Sequence, residues 1–282
     1  MAAYVASGAV GRGLGDRLIL AATIALALVM VIPMVWAVGL SIKSNAELLV
    51  DTNSVLHAPW TLKNYADIIV GSSVFRWLLN SIIVSTGMSL GVLVLSSLAG
   101  YGFARLEFPG RNVIFVLVLF GLAIPEQAVI IVRHQLFSAF DLHNTYPGLM
   151  LPGMSAPFGV FLMTQYFRSI PTEIDEAALL DNASRFQVFW RVLLPMTLPA
   201  QATLGIYTFL HAWNDYWWPL VSGTNAQMYT MTVGIAATQI NFAESAGLGY
   251  LMAQAVFGSL PVLIVYMFFQ KYIVRAVSGA AM

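Results

Sequence analysis

The sequence contains no cysteine, so disulfide scaffolds, thiol nucleophiles and cysteine metal sites are excluded. Charge is scarce as well, because only 9% of the 282 residues are charged, against about 25% in an ordinary soluble domain. Thirteen basic and thirteen acidic residues cancel, which leaves no global field that would attract nucleic acid. We therefore expect neither a soluble domain nor a nucleic-acid partner.

Apolar residues make up 59% of the chain and gather in long runs. About 20 apolar residues in a helix cross a hydrocarbon core roughly 30 Å thick. The first run is too long for a cleavable signal peptide and is interpreted as a retained anchor. Glu126 interrupts the third run. The runs predict six spanning helices, at about residues 18–42, 77–104, 112–132, 146–167, 196–218 and 249–270.

The distribution of basic residues predicts the orientation. Six spans place both termini on one side, which then holds Arg12, Arg17, Arg105, Arg111, Arg168, Arg185, Arg191, Lys271 and Arg275. The other side keeps Lys43, Lys63, Arg76 and Arg133. Because basic residues favour the cytoplasmic side, we expect a cytoplasmic N-terminus (1–17) and a cytoplasmic tail (271–282). Residues 18–270 then form a single membrane domain.

A polar segment, residues 169–195, interrupts the apolar pattern. Its first part predicts a short helix capped by Thr172, with acids where the helix dipole is positive. Small residues at Ala177 and Ala178 share one face of this helix. Asn182 follows, and Asn accepts the left-handed conformation that ends many helices. The chain is therefore expected to turn at Asn182.

A second short helix is predicted directly after that turn. Ser184 and Gln187 have the spacing of a capping box, in which each side chain satisfies a backbone donor. The helical spacing then predicts one apolar face made of Phe186, Phe189, Trp190 and Leu193.

Two interpretations of this polar segment remain open from the residues alone. An amphipathic connector resting in lipid headgroups accounts for the aromatic face. It does not account for the acids, which an anionic inner leaflet repels. A docking surface for a cytoplasmic protein accounts for both the aromatic face and the acids. Small residues allow the partner protein to approach closely, and charged residues fix its alignment.

Particular residues in this segment resemble a known motif. The run Glu176-Ala177-Ala178, followed by Asp181, Ala183 and Leu194-Pro195, resembles the EAA motif of permease subunits in bacterial ABC importers. Asn182 stands where the motif usually has glycine. The stretches AGYGFARLEFPGR (99–111), AWNDYWWPL (212–220) and FFQKYIVRAVSGA (268–280) are similar to carbohydrate-uptake permeases of the maltose-transporter type, particularly the smaller partner subunit. The resemblance covers essentially the whole chain.

The resemblance implies an all-α integral membrane protein with the six-helix fold of type I ABC importer permeases, in a bacterial inner membrane. Implied partners are a homologous second permease, two cytoplasmic ABC ATPases, an extracytoplasmic solute-binding protein and the lipid bilayer. The chain has no G-x-x-x-x-G-K-[ST] phosphate loop. We therefore expect a non-catalytic subunit that binds no cofactor itself, with ATP and Mg on the ATPases.

The function that the resemblance implies is ATP-driven, binding-protein-dependent sugar import. The alternatives are an importer permease for a non-sugar solute such as a glycerol-phosphate compound, and a secondary transporter. A secondary transporter would usually carry charged groups near the bilayer midplane, which the predicted spans lack.

Two groups of candidate functional residues follow. The segment 169–195, called the EAA loop below, is implied to contact the ATPases through Glu176, Ala177, Ala178, Asp181, Asn182, Arg185 and Pro195. Polar residues near the outer ends of spans are candidates for the pathway or for binding-protein contact: Asn80, Glu126, Gln127, Asn214 and Asp215. The alternative for this second group is a set of interfacial groups wetted by lipid headgroups.

Three remaining features receive simpler interpretations. Trp213, Trp217 and Trp218 are interpreted as an aromatic belt rather than as sugar-stacking groups. The loop 221–248 matches the position of a loop that probes the binding protein in maltose-type relatives. The histidines show no metal-site spacing.

Overall fold

The computed structural model describes residues 14–51, 55–240 and 247–279, and every regular element among them is helical. The α-helices are α1 (Leu14–Ser41), α2 (Asn45–Val50), α3 (Lys63–Gly71), α4 (Val74–Arg105), α5 (Arg111–Phe120), α6 (Ile130–Ala139), α7 (Tyr146–Met154), α8 (Pro157–Ser169), α9 (Glu173–Leu180), α10 (Arg185–Gln187), α11 (Leu194–Met196), α12 (Leu198–Asn214), α13 (Trp217–Ser222), α14 (Met231–Ile240) and α15 (Gly247–Gly279). Short 3₁₀ turns lie at Gly121–Ala123, Glu126–Val129 and Ala226–Met228, and a π-helical turn lies at Val188–Leu193.

The first helix exposes apolar side chains all around its axis. Leu18, Leu28 and Met34 point to different sides of α1, and each is more than 60% exposed. A helix that is apolar all round is typical of a membrane span. The exposed surface of α1 therefore suits lipid or another apolar protein surface.

The described residues contain three helices that are long and apolar enough to cross a membrane, Gly15–Ser41, Val74–Arg105 and Gly247–Phe269. The number rises to five if each of two sharply bent helix pairs counts as one span. The length and composition of these helices support a multi-pass membrane protein, with three to five spans among the described residues where the sequence predicts six.

Three of the predicted apolar runs are not single straight helices in the structure. The third run is broken by 95° between Arg111–Ala123 and Glu126–Ala139. Ile124 is extended there because it precedes Pro125, and a residue before proline disfavours the helical region. The fourth run divides into α7 and α8 for the same reason, since Ala156 is extended before Pro157. The fifth begins with a 75° bend between Arg185–Met196 and α12.

The chain forms two compact units. The smaller unit takes its described residues from 1–67 and 242–256, and the larger takes them from 68–241 and 257–282. In the larger unit α4 is the central helix, and α7, α8 and α12 pack along it. A side chain at Gly100 would collide with the Met163 backbone, so the glycine allows α4 and α8 to approach closely.

The smaller unit is held by a buried lysine. Lys43 is 1% exposed, and its Nζ donates to the carbonyls of His57 at 2.9 Å and Pro59 at 2.8 Å. The same ammonium lies 3.0 Å from the Glu47 carboxylate. Two carbonyls accept hydrogen bonds from the ammonium group, and the carboxylate offsets its charge as an ion pair. The loop after α1 is therefore pinned to α2.

A hydrophobic core cluster of the larger unit lies where the end of α4 meets the EAA loop. Its buried members come from α4, α8, the EAA loop and α12: Val92, Tyr101, Met163, Phe167, Ile170, Val188, Phe189, Leu193, Ala200 and Leu204. The cluster makes the EAA loop part of the packed interior on one side.

Candidate functional site

The first helix of the EAA loop is α9, and its first turn is acidic as predicted. The side chain of Thr172 makes no capping hydrogen bond, contrary to the expectation. The Thr172 carbonyl instead accepts the backbone N–H groups of Asp175 at 3.0 Å and Glu176 at 3.1 Å. The helix therefore begins where the sequence predicts, without the predicted side-chain cap.

The turn between the two helices is confirmed at Asn182, whose φ is +60°. The capping box is confirmed as well. The Ser184 N–H donates to Gln187 Oε1 at 2.7 Å, and the Gln187 N–H donates to Ser184 Oγ at 3.3 Å. A left-handed residue followed by a doubly capped helix start gives the loop a defined bend.

The predicted apolar face of the second helix is only partly buried. Phe189 and Leu193 are buried, whereas Phe186 is 67% and Trp190 is 59% exposed. A π-helical turn over Val188–Leu193 widens the repeat beyond 3.6 residues in this part of the loop. Pro195 follows this turn, and a proline ring clashes with the carbonyl four residues back in a regular α-helix. The structure therefore divides the predicted apolar face into a buried pair and an exposed pair, although the ring centres of Phe186 and Trp190 each lie 6.4 Å from that of Phe189.

The EAA loop is fixed to the end of α4 by polar contacts. Arg105 Nε lies 2.7 Å from Asp175 Oδ2, in an ion pair whose N–H is not aligned for a hydrogen bond. Arg105 Nη2 donates to the Ile170 carbonyl at 2.6 Å. The Tyr101 hydroxyl donates to the Arg185 carbonyl at 3.2 Å. One helix end thus holds the start of the loop, the first turn of α9 and the beginning of α10.

Burial governs the charge state of the Asp175 carboxyl. It raises the pKa above the ordinary value, the guanidinium of Arg105 offsets part of that rise, and neighbouring Glu176 adds to it. Asp175 Oδ1 is also buried and makes no hydrogen bond within the part of the chain that the structure describes. The Arg105 contact is thus the main support for a negative charge at this position.

The outer face of the EAA loop carries the predicted coupling residues. Ala178 is half-buried and packs on the core cluster, whereas the other six are exposed: Glu176, Ala177, Asp181, Asn182, Arg185 and Pro195. Leu180, with an exposed fraction of 84%, is exposed as well, as are Phe186 and Trp190. The exposed residues of the EAA loop therefore include both large apolar side chains and acids.

Four of the five pathway candidates line one cavity, called the Asp215 cavity here. Its volume is about 460 Å³, and it is lined by Glu126, Gln127, Tyr207, Leu210, His211, Asn214, Asp215, Tyr216 and Trp217. The last turns of α12 supply one wall, and the start of the 3₁₀ turn at Glu126–Val129 supplies another. The break at Pro125 is what places Glu126 and Gln127 at this cavity.

Local contacts fix the rim of the Asp215 cavity. Asp215 Oδ1 accepts the Trp217 N–H at 3.1 Å, and the Asp215 carbonyl accepts the Thr232 hydroxyl at 2.7 Å. The Tyr207 and His211 ring centres lie 6.1 Å apart on successive turns of α12. Within the described ranges, no group of His, Asp and Glu side chains has the arrangement of a metal site.

A family model described as "binding-protein-dependent transport system inner membrane component" matches residues 92–279, a range that contains the EAA loop and the Asp215 cavity. The chain belongs to this family. It is therefore a membrane component of a transport system, and the apolar helices of the structure agree with a multi-pass membrane location.

Relatives of this transport component include permease proteins of known systems. The chain is 35% identical over 252 residues to the diacetylchitobiose uptake system permease protein NgcG of Streptomyces coelicolor, covering 89% of this chain and 83% of the relative. It is 32% identical over 216 residues to the arabinooligosaccharides transport system permease protein AraQ of Bacillus subtilis, covering 76% of each.

A solved structure shares the fold of this transport component. The chain resembles one in the crystal structure of a bacterial ABC transporter involved in the import of the acidic polysaccharide alginate. The TM-score is 0.76, with 21% sequence identity, and the match covers 92% of this chain and 98% of the other. The all-α importer permease fold expected from the sequence is thus confirmed.

The structure does not bring Asn80 to the Asp215 cavity. Asn80 is fully buried, and its Nδ2 donates to the carbonyls of Gln227 at 2.8 Å and Tyr229 at 2.9 Å. Its Oδ1 accepts the Tyr146 hydroxyl at 2.8 Å. In this transport component Asn80 joins α4 to α7 and to the segment after α13, which is a structural role.

The three tryptophans also differ in position. Trp213 and Trp218 are buried inside the protein, and the Trp218 indole N–H donates to the Gly148 carbonyl at 2.9 Å. The aromatic-belt interpretation therefore fails for these two residues. Trp217 is 55% exposed and lines the Asp215 cavity.

Sequence reasoning missed the aromatic wall of the cavity, although a signal existed. Tyr207, Leu210, His211 and Asn214 have the spacing i, i+3, i+4 and i+7, which places them on one face of a helix. This spacing predicts that Tyr207 and His211 lie on the same helix face as the candidate residue Asn214.

Proposed function

We propose that this chain is a permease subunit of an ATP-driven, binding-protein-dependent importer of carbohydrate, coupled to cytoplasmic ATPases through the EAA loop. One observation carries the proposal: the loop is fixed to α4 by buried contacts, while most of its acids and several of its large apolar side chains are exposed. An element that is rigidly held and also exposed can transmit a partner's movement into the helices behind it.

The held side supports transmission because it joins several elements. Arg105 contacts Asp175 in α9, and Tyr101 contacts Arg185 in α10. Phe189 packs 5.0 Å from the Tyr101 ring, centre to centre. Force on the loop would therefore reach α4, and through the core cluster α8 and α12, without first bending a flexible connection.

The exposed side has the composition of a protein-docking surface. Leu180, Phe186 and Trp190 are large and well exposed, and desolvated aromatic residues are frequent anchors of protein interfaces. The exposed carboxylates of Glu176 and Asp181 lie on the same loop. Acids disfavour insertion into an anionic leaflet, so this mixture favours a protein partner with basic groups over lipid.

The proposal places the remaining components of the transporter outside this chain. ATP and Mg are bound by two ATPase subunits, and the pathway is shared with a homologous second permease. An extracytoplasmic binding protein delivers the solute, with the region 221–248 as a contact. Both termini and the EAA loop are cytoplasmic, as the positive residues favour. The six-span arrangement and its boundaries are part of the same proposal.

Carbohydrate is the favoured solute class because the named relatives NgcG and AraQ serve uptake of diacetylchitobiose and arabinooligosaccharides. An anionic solute such as a glycerol-phosphate compound is the alternative. These two solute classes require different groups along the pathway. An anion requires basic residues, whereas a neutral saccharide requires hydrogen-bond donors and acceptors.

Charge reversal at Glu176 tests the coupling role. With the complete transporter in liposomes, Glu176→Lys should weaken ATPase association and lower uptake by roughly 10-fold or more, as expected when one charge of an interface pair is reversed. Glu107→Lys is the matched control, because Glu107 is also exposed and lies in the loop between α4 and α5. Unchanged uptake and ATPase activity for Glu176→Lys at normal membrane levels would remove the role assigned to Glu176.

A further inference from the structure

We infer that the Asp215 cavity is a binding subsite for a neutral saccharide unit during its passage. This inference rests on the proposed function and names the substrate class of its pathway. The cavity volume of about 460 Å³ falls within the range of about 300–1,000 Å³ typical of small-molecule sites. A site of this size accommodates a sugar ring with part of its neighbour.

The polar groups of the cavity suit hydroxyl-bearing ligands. Carboxylates of Glu126 and Asp215 accept hydrogen bonds, whereas the amides of Gln127 and Asn214 both donate and accept. A sugar hydroxyl also donates and accepts, so vicinal hydroxyls find partners of both kinds. Hydrogen bonds of both kinds would orient a bound sugar, and they do not require the ligand to be charged.

Charge argues against an anion at this place. Two carboxylates line the cavity, and no lysine or arginine does so among the lining residues that the structure describes. A phosphate or uronate group here would face like charge with no cation to offset it. The cavity therefore favours a neutral saccharide over a glycerol-phosphate compound.

Two exposed aromatic rings supply the apolar part of the site. Tyr207 is 52% and Trp217 is 55% exposed, and a ring face complements the C–H face of a pyranose or furanose. Neighbouring rings restrain both: Phe158 lies 5.0 Å from Tyr207, and Tyr216 lies 5.6 Å from Trp217, centre to centre. Rings that are already held lose little freedom when a ligand binds.

The cavity and the EAA loop occupy opposite ends of one helix. The loop leads into α12 at Leu198, and the cavity is built around the last turns before Asn214. Seventeen residues of helix span roughly 25 Å. Movement of the loop can therefore change the cavity through a single rigid element, which would link saccharide release to the ATPase cycle.

The test uses the complete transporter with its binding protein in liposomes and four radiolabelled probes. These are N,N′-diacetylchitobiose, an arabino-oligosaccharide, maltose and sn-glycerol 3-phosphate. For a saccharide that the wild type transports, Trp217→Ala and Tyr207→Ala should each raise KM by roughly 3- to 10-fold, the loss expected from one aromatic contact. Trp217→Phe retains a ring and should restore most of the affinity.

Matched controls separate binding from general damage. Trp60→Ala and Tyr266→Ala remove aromatic rings that are 57% and 48% exposed and do not line the cavity, so their KM values should equal that of the wild type. Normal KM in both cavity variants would overturn the subsite and leave the importer function standing. Transport of glycerol 3-phosphate alone would overturn both the carbohydrate assignment and the subsite, while the importer function would stand. ATP-dependent transport of none of the probes would overturn the proposed carbohydrate function and the subsite with it.

Discussion

Arg105 Nε and Asp175 Oδ2 lie 2.7 Å apart, and this contact ties the last residue of α4 to the first turn of α9. Their side chains are 7% and 16% exposed. An ion pair so far removed from water is costly to break by removing one partner. The pair therefore stabilises the junction through which the EAA loop would act.

Removing only the arginine should destabilise the protein. Arg105→Ala leaves the Asp175 carboxylate buried without its cation and should cost about 3 kcal/mol. The double variant Arg105→Ala/Asp175→Ala removes both charges and should lose less than the single variant. Thermal unfolding of the detergent-solubilised transporter measures both. A double variant that loses as much stability as Arg105→Ala, or more, would contradict this explanation.

The stability of the Arg105→Ala variant should depend on pH. Burial already raises the pKa of Asp175, and Arg105 lowers it in part, so Arg105→Ala should raise the pKa further. A carboxyl with a raised folded-state pKa favours folding when protonated and disfavours it when ionised. The stability deficit of Arg105→Ala should therefore be largest at neutral pH and shrink as pH falls toward that pKa. Melting curves between pH 5 and 8 test this, with Arg105→Ala/Asp175→Ala as the variant expected to lack the trend.

The bend of the EAA loop depends on one backbone conformation at Asn182. Because φ is +60° there, Asn182→Gly should be neutral or slightly stabilising, whereas Asn182→Val should cost about 1–2 kcal/mol. Val should also lower uptake, since it shifts the angle between α9 and α10. Equal stability and uptake for the two variants would mean that the bend does not depend on this residue.

Two phenylalanines in the EAA loop, one buried and one exposed, allow the effects of core packing and of ATPase docking to be tested separately. Phe189 is buried among Tyr101 and Phe167, so Phe189→Ala should lose about 3–5 kcal/mol of stability. Phe186 is 67% exposed, so Phe186→Ala should leave the melting temperature almost unchanged and weaken association with the ATPase. Pull-down of the ATPase and thermal unfolding of the permease together distinguish the two effects. A large loss of stability in Phe186→Ala would contradict the assigned faces.

Asn80 should behave as a structural residue. Asn80→Leu leaves the carbonyls of Gln227 and Tyr229 and the Tyr146 hydroxyl without this partner, at roughly 1–3 kcal/mol for each buried group left unpaired. Tyr146→Phe removes a single contact and should cost less. If Asn80→Leu instead kept its melting temperature and changed only the KM for transport, Asn80 would belong to the pathway after all.

Local sequence signals predicted the EAA loop well where the cause was local. The left-handed turn at Asn182 and the capping box at Ser184 and Gln187 depend on backbone bonds within a few residues, and both are confirmed. The apolar face of the following helix is divided into buried and exposed residues, because burial depends on which other parts of the fold pack against the helix. Hydropathy also predicted continuous helices across Pro125 and Pro157, because the apolar content of a run does not indicate where the helix is interrupted.

The sequence by itself determined an all-helical membrane component, through long apolar runs that only a hydrogen-bonded helix can carry into lipid, and it determined a bent polar loop between two of them. Tertiary structure alone decided which residues meet. The pairing of Arg105 with Asp175 and the joining of Glu126 to the end of α12 bring together positions far apart in the chain. Such contacts depend on how helices pack around α4, and no local spacing encodes that packing.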